Sequence, residues 1–261
     1  MTEQFDFTTT EHVQQPSRAA GHGSVHDGRS VFDEQVRADA RTIIGRYPEA
    51  RSALLPLLHL VQSAQGQVTA EGIDFCAEQL ALSAAEVSAV ATFYTMYKRE
   101  PCGQHLVSVC TNTLCAAMGG DAIYEKLSER LGVGHEQTSG EPGAEGSITL
   151  EHAECLAACD FAPVLQVNYE YFDNQTEQSA LDLVEALRRG ERPHPTRGAP
   201  LTDFRTAERE LAGFFAADEQ AVDGPSAAAE TVRGARIAVD NGWSAPPMPE
   251  DAELPPAAEN Q

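Results

Sequence analysis

Between residues 31 and 98 apolar positions recur three and four apart, the period of helices that bury one face. Phe32, Val36, Ala40 and Ile43 or Ile44 form the first stripe, behind Ser30-x-x-Asp33, which resembles a capping box; Gly45 and Tyr47-Pro48 end it. Ala53 to Val61 is too apolar for a surface and predicts a buried helix with Pro56 in its first turn or at a kink, stopped by Gly66. Thr69 opens a third helix with Ile73, Ala77 and Leu80 on one face, and Ser83-x-x-Glu86 caps a fourth carrying Val87, Val90 and Phe93 or Tyr94. Short loops between short helices predict an N-terminal four-helix bundle over residues 30–99.

After Pro101 the pattern changes. His105 to Val109 reads as a strand running into Cys110, and a helix follows Gly119-Gly120 with Ile123, Leu127 and Leu131 inward. Residues 132–146 read as a loop, 147–152 as a strand leading to Cys155, and 164–167 with 169–172 as a hairpin. A last helix, capped near Thr176, turns Leu181, Val184 and Leu187 inward and ends at Arg188-Arg189-Gly190. This β-α-β-β-β-α order predicts a small thioredoxin-like α+β layer over residues 100–192. Residues 1–29 form an arm expected to be disordered, and residues 193–261 a mostly disordered tail rich in Pro, Ala and acids, with a candidate docking segment at 231–243 around the only Trp, Trp243.

Composition narrows the function classes. A net charge of -22 opposes nucleic-acid backbones and anionic lipid, and the stretch from Ala84 to Thr92 holds no basic residue for a recognition helix. No run approaches the length of a membrane span and Met1 to Thr10 has no basic leader region, so the chain is expected in the cytoplasm, held to a membrane only through partners. Six cysteines without a secretion signal point to reduced thiols used for metal or chemistry.

Four of them stand in two groups, Cys110-x4-Cys115 and Cys155-x3-Cys159, each at the end of a predicted strand. Thiolates are soft ligands that select zinc, copper(I) or iron-sulfur clusters. Zinc knuckles favour C-x2-C or C-x4-C, whereas two pairs from separate loops supply the four thiolates of a [2Fe-2S] cluster. His152 would offer a mixed-ligand variant, but its strand position favours an ordinary side chain; Cys76 reads as a small buried hydrophobe, and Cys102 is surplus to a complete site. There is no G-x-G-x-x-G after a strand, so binding of a nicotinamide or flavin cofactor is not expected from this chain alone.

The run Arg51 to Val61, Val90-Ala91-Thr92-Phe93-Tyr94, Pro101-Cys102-Gly103-Gln104-His105, Val109-Cys110-Thr111-Asn112, and Glu154 through Asn168 resemble, in order, the E subunits of NADH-quinone oxidoreductase, respiratory complex I, in the thioredoxin-like [2Fe-2S] ferredoxin family. The likeness covers about residues 31–190. It implies a helical domain followed by a thioredoxin-like domain, and one [2Fe-2S] cluster on Cys110, Cys115, Cys155 and Cys159. It also implies electron transfer beside the F subunit, which binds FMN and NADH and does the hydride chemistry, with the iron-sulfur G subunit nearby, on the cytoplasmic face of the membrane. The same subunit type serves NAD-linked hydrogenases and formate dehydrogenases, which leaves a diaphorase role as the alternative. Two departures are Ala158, where the family often has Gly, and Cys102, where an aliphatic residue is usual; the extension beyond about residue 200 exceeds the family core.

Overall fold

The computed structural model describes residues 31–215 and 228–247. Helix α1 (Glu34–Ile44) begins at Asp33, whose carboxylate accepts the Val36 N–H at 3.0 Å. The cap is therefore Asp33 itself, three residues beyond Ser30, which lies outside the described residues. A 3-10 turn leads into α2 (Leu54–Gln65), where Pro56 occupies the first turn and its missing N–H costs no helical bond. Gly66 closes α2 with φ 76, its N–H donating to Gln62 O. Thr69 caps α3 (Ala70–Leu80), and Ser83 with Glu86 forms the complete reciprocal box that opens α4 (Ala84–Phe93). Their inward faces share one core that includes Ile43, Leu57, Leu58, Leu60, Phe75 and Val87. Cys76 lies fully buried in that core, as a small hydrophobe.

The second layer is a five-stranded sheet whose strands lie in the order β2 (Gln137–Ser139), β3 (Ile148–Ala153), β1 (His105–Cys110), β4 (Leu165–Val167) and β5 (Glu170–Phe172). Central β1 (His105–Cys110) is buried throughout. It pairs in parallel with β3 (Ile148–Ala153) and antiparallel with β4 (Leu165–Val167). The parallel pairing requires a crossover, which α6 (Gly120–Leu131) supplies. Ile123, Leu127 and Leu131 of α6 and Ala180, Leu183, Val184 and Leu187 of α7 (Glu177–Arg188) pack with Val107, Val109, Ile148 and Leu150 of the sheet. Leu183 joins the expected Val184 and Leu187 on the buried face of α7, and the half-buried Leu181 packs against the same core. Edge strand β5 (Glu170–Phe172) completes the expected hairpin with β4. β2 (Gln137–Ser139) lies within the stretch expected as loop; pairing with β3, not hydrophobic alternation, makes it a strand.

The expected mobile tail gives way between residues 201 and 215 to α8 (Phe204–Leu211), capped by Asp203 and packed along α2. Phe204 is fully buried against Cys102 and Leu106 of the sheet layer. The buried Glu208 carboxylate meets His59 Nδ1 of α2 at 2.6 Å and accepts from Tyr169 OH at 2.7 Å. One eight-residue helix thus ties the helices to the turn between β4 and β5. Lys98 is a second tie between layers, its buried ammonium paired with Glu151 of β3 and with Glu136. Farther on, α9 (Arg233–Asp240) exposes Val239, with Trp243 exposed just beyond it.

Candidate metal centre

Cys110 is the last residue of β1, and its N–H donates to Val164 O at 3.1 Å, which fixes the strand end against the approach to β4. Chain direction then reverses through the short helix α5 (Thr113–Ala117), which buries Cys115 and returns the chain to the start of α6. A Cβ on Gly120 would stand 2.4 Å from Cys110 O and 2.9 Å from Cys115 O, so glycine is what lets α6 begin directly on this loop.

Cys155 and Cys159 come from the loop that follows β3, whose last residue is Ala153. Three hydrogen bonds tie the first loop to the end of β3 and the start of the second loop: Thr111 N–H and Oγ1 to Ala153 O at 3.1 and 3.4 Å, and Asn112 Nδ2 to Glu154 Oε2 at 2.7 Å. Within the second loop Ala157 takes φ 58, and Ala158, where the family often has Gly, is buried with a negative φ of -113. The added methyl therefore fills space in a small apolar cluster with Cys110, Cys115, Ala162 and Val164, and the left-handed residue is its neighbour.

The two pairs converge. The Cys155 and Cys159 sulfurs are 3.5 Å apart, well beyond a disulfide bond and close to the separation of about 3.8 Å for two thiolates at about 2.3 Å on one tetrahedral metal. Burial, then the neighbouring Cys110 and Cys159, pushes the Cys115 thiol up to about 11. The hydrogen bond with Cys155 raises Cys159 above the ordinary thiol range, and Cys110 adds to it. A bound cation would offset that penalty and favour the thiolate forms of Cys115 and Cys159. Cys110 and Cys115 are buried and Cys155 and Cys159 exposed, so the site has an inner wall and an open rim. Among the described residues no three His, Cys, Asp or Glu side chains gather around a single-ion position.

The remaining sequence candidates lie elsewhere in role. His152 is exposed, with its ring stacked on that of His135 at 4.0 Å and edge-on to Tyr124. Cys102 is buried beside Leu106 and Phe204, and burial pushes its thiol up to about 12. Sequence reasoning missed Tyr171, whose hydroxyl donates to Leu156 O at 2.8 Å inside the cysteine loop; only its hairpin position was visible. It also missed the partners of that ring, which lie after α7 in the stretch expected to be mobile.

The family model of the thioredoxin-like [2Fe-2S] ferredoxin matches residues 40–188. The E subunit of NADH-quinone oxidoreductase from Mycobacterium tuberculosis (strain ATCC 25618 / H37Rv) is 55% identical over 216 residues, which covers 82% of this chain and 83% of that one. The protein of the same name from Rickettsia prowazekii is 36% identical over 158 residues, 59% of this chain and 87% of that one. Among solved structures, a chain of the NAD+-reducing [NiFe]-hydrogenase aligns with a TM-score of 0.45 at 16% identity, covering 51% of this chain and 23% of that one, a likeness too slight to carry an argument.

Proposed function

The chain belongs to the thioredoxin-like [2Fe-2S] ferredoxin family, and from that premise we propose that it is the electron-transfer E subunit of an NADH-quinone oxidoreductase, with Cys110, Cys115, Cys155 and Cys159 as the cluster ligands. The observation that carries this reading is the meeting of the two thiol-bearing loops at the ends of β1 and β3: Asn112 of the first donates to Glu154 of the second, and Ala158, next to Cys159, packs in one buried cluster with Cys110 and Cys115. The donor set fits the group: four thiols arranged as two pairs, as a two-iron centre requires. When bound, a [2Fe-2S] cluster accepts and releases single electrons.

The chain's own residues supply the setting. Ala158, Ala162 and Val164 line an apolar inner wall that keeps water from the buried pair, while the exposed Cys155 and Cys159 lie on the rim where a partner approaches. The partner in this reading is the FMN- and NADH-binding F subunit, with the iron-sulfur G subunit nearby, and the hydride chemistry belongs to the flavoprotein. In the described residues no helix is long and apolar enough to cross a membrane, which accords with attachment at the cytoplasmic face through the complex. We assign residues 30–99 to a helical bundle domain and 100–192 to the cluster domain, and the exposed α9 segment to docking on the flavoprotein.

Two experiments test the assignment. Cys155→Ser should abolish or strongly alter the EPR signal of the reduced protein; an unchanged signal would remove Cys155 from the ligand set. Deleting residues 225–261 should weaken association with the flavoprotein, and unchanged affinity would refute the docking role.

A further inference from the structure

We propose that Arg197 is a positioning residue for the loop that carries Cys155 and Cys159, fixing that loop to the β5 edge and offsetting the carboxylate next to Cys159. The inference rests on the ligand assignment above. Arg197 lies between α7 and α8, in a stretch that composition marks as tail, yet its backbone is bridged to Tyr171 of β5. The preceding Thr196 secures that bridge: its N–H donates to Tyr171 O at 2.8 Å and its hydroxyl to Asp173 Oδ2 at 2.9 Å.

From this fixed backbone the guanidinium makes three kinds of contact. Nε and Nη2 donate to Asp173 Oδ2 and Oδ1 at 2.8 and 2.7 Å, a two-point fork. Nη1 stands 3.8 Å from Asp160 Oδ1, on the residue after Cys159. The guanidinium carbon lies 5.3 Å from the centre of the Phe161 ring and 5.1 Å from that of Tyr171. Tyr171 in turn donates to Leu156 O, the carbonyl after Cys155, at 2.8 Å. One side chain, 11% exposed, therefore holds the loop behind Cys159 directly and behind Cys155 through Tyr171. Lysine would keep the charge but neither the fork nor the stacking plane.

The charge matters separately from the grip. Asp160 and Asp173 both face this cation, in a chain of net charge -22. The local charge around a cluster helps to set its potential, and a reduced cluster carries one more negative charge. Removing Arg197 leaves both carboxylates without their cation and disfavours that added electron.

The full-length chain tests both effects, with hydrogen exchange over residues 154–163 reporting the grip and an EPR-monitored redox titration reporting the charge. Arg197→Gln should speed exchange of that loop about tenfold and move the reduction equilibrium about tenfold toward the oxidised form, which is about 59 mV for one electron. Arg197→Lys should speed exchange but hold the wild-type potential. The double variant Arg197→Gln with Asp173→Asn, which removes one charge of each sign, should do the same, and both variants remain informative if the single Gln variant does not fold. Wild-type exchange in the Lys and double variants would overturn the positioning role, and a wild-type potential in a folded Arg197→Gln variant would overturn the charge role. A wild-type chain that holds no iron or sulfide would refute the ligand assignment instead, and exchange in that cluster-free chain would still decide whether Arg197 grips the loop.

Discussion

Gly120 shows how much of a site can depend on a missing side chain. The backbone carbonyls of Cys110 and Cys115 occupy the space a Cβ would need, so Gly120→Ala forces the first cysteine loop away from α6. We expect a loss of about 1–3 kcal/mol by analogy with overpacked cores, together with reduced iron content; denaturant titration and iron analysis at wild-type values would contradict this. The sequence marks Gly119-Gly120 as a helix start, but the close approach that demands glycine depends on tertiary contacts. His105 is a second case. It is buried at the start of β1, with Nδ1 3.3 Å from Asn168 Nδ2, and burial lowers its pKa from 6.5 to about 4. Because the folded value is depressed, the unfolded chain takes up the proton first, so this contribution to stability is present above pH 6.5 and lost as pH falls through about 4. His105→Gln should flatten the stability slope across that window; equal slopes for both proteins would count against a buried neutral imidazole.

At the scale of elements, legibility followed from how locally each element is determined. The caps Thr69, Ser83 and Thr176 and the stop at Gly66 sit beside the apolar stripes they bound, so α2, α3, α4 and α7 could be read along the chain. β2 could not, because Gln137, Thr138 and Ser139 become a strand only through cross-strand pairs such as Ser139↔Ile148 and Gln137↔Leu150. α8 failed for a related reason: five of its eight residues are polar or charged, and the buried Glu208 looks like a surface residue until His59 and Tyr169 are placed around it. Its anchor is Phe204. Phe204→Ala should cost about 3–5 kcal/mol in a urea titration and expose the Cys102 thiol to modification, whereas a cost below about 1 kcal/mol would mean that α8 is not fastened to the sheet.

For the molecule as a whole, the four proposed ligands were legible because the spacing of thiols carries their chemistry, and the strands that lead to the two pairs were placed from short stretches carrying Leu, Val, Ile and Thr. What brings the pairs together was not. The Asn112–Glu154 bridge, the Tyr171 hydroxyl on Leu156 and the Arg197 fork join residues far apart in sequence, and no local period records them. The sheet places the ends of β1 and β3 side by side in parallel register, Cys110 opposite Ala153, and from that register the meeting of the two loops follows. The central claim is that this meeting point holds one [2Fe-2S] cluster. Its most direct test is iron and acid-labile sulfide analysis of anaerobically purified protein, with EPR after reduction. Two irons and two sulfides per chain and a signal from one reduced cluster are expected; a colourless protein carrying a single zinc would contradict the account.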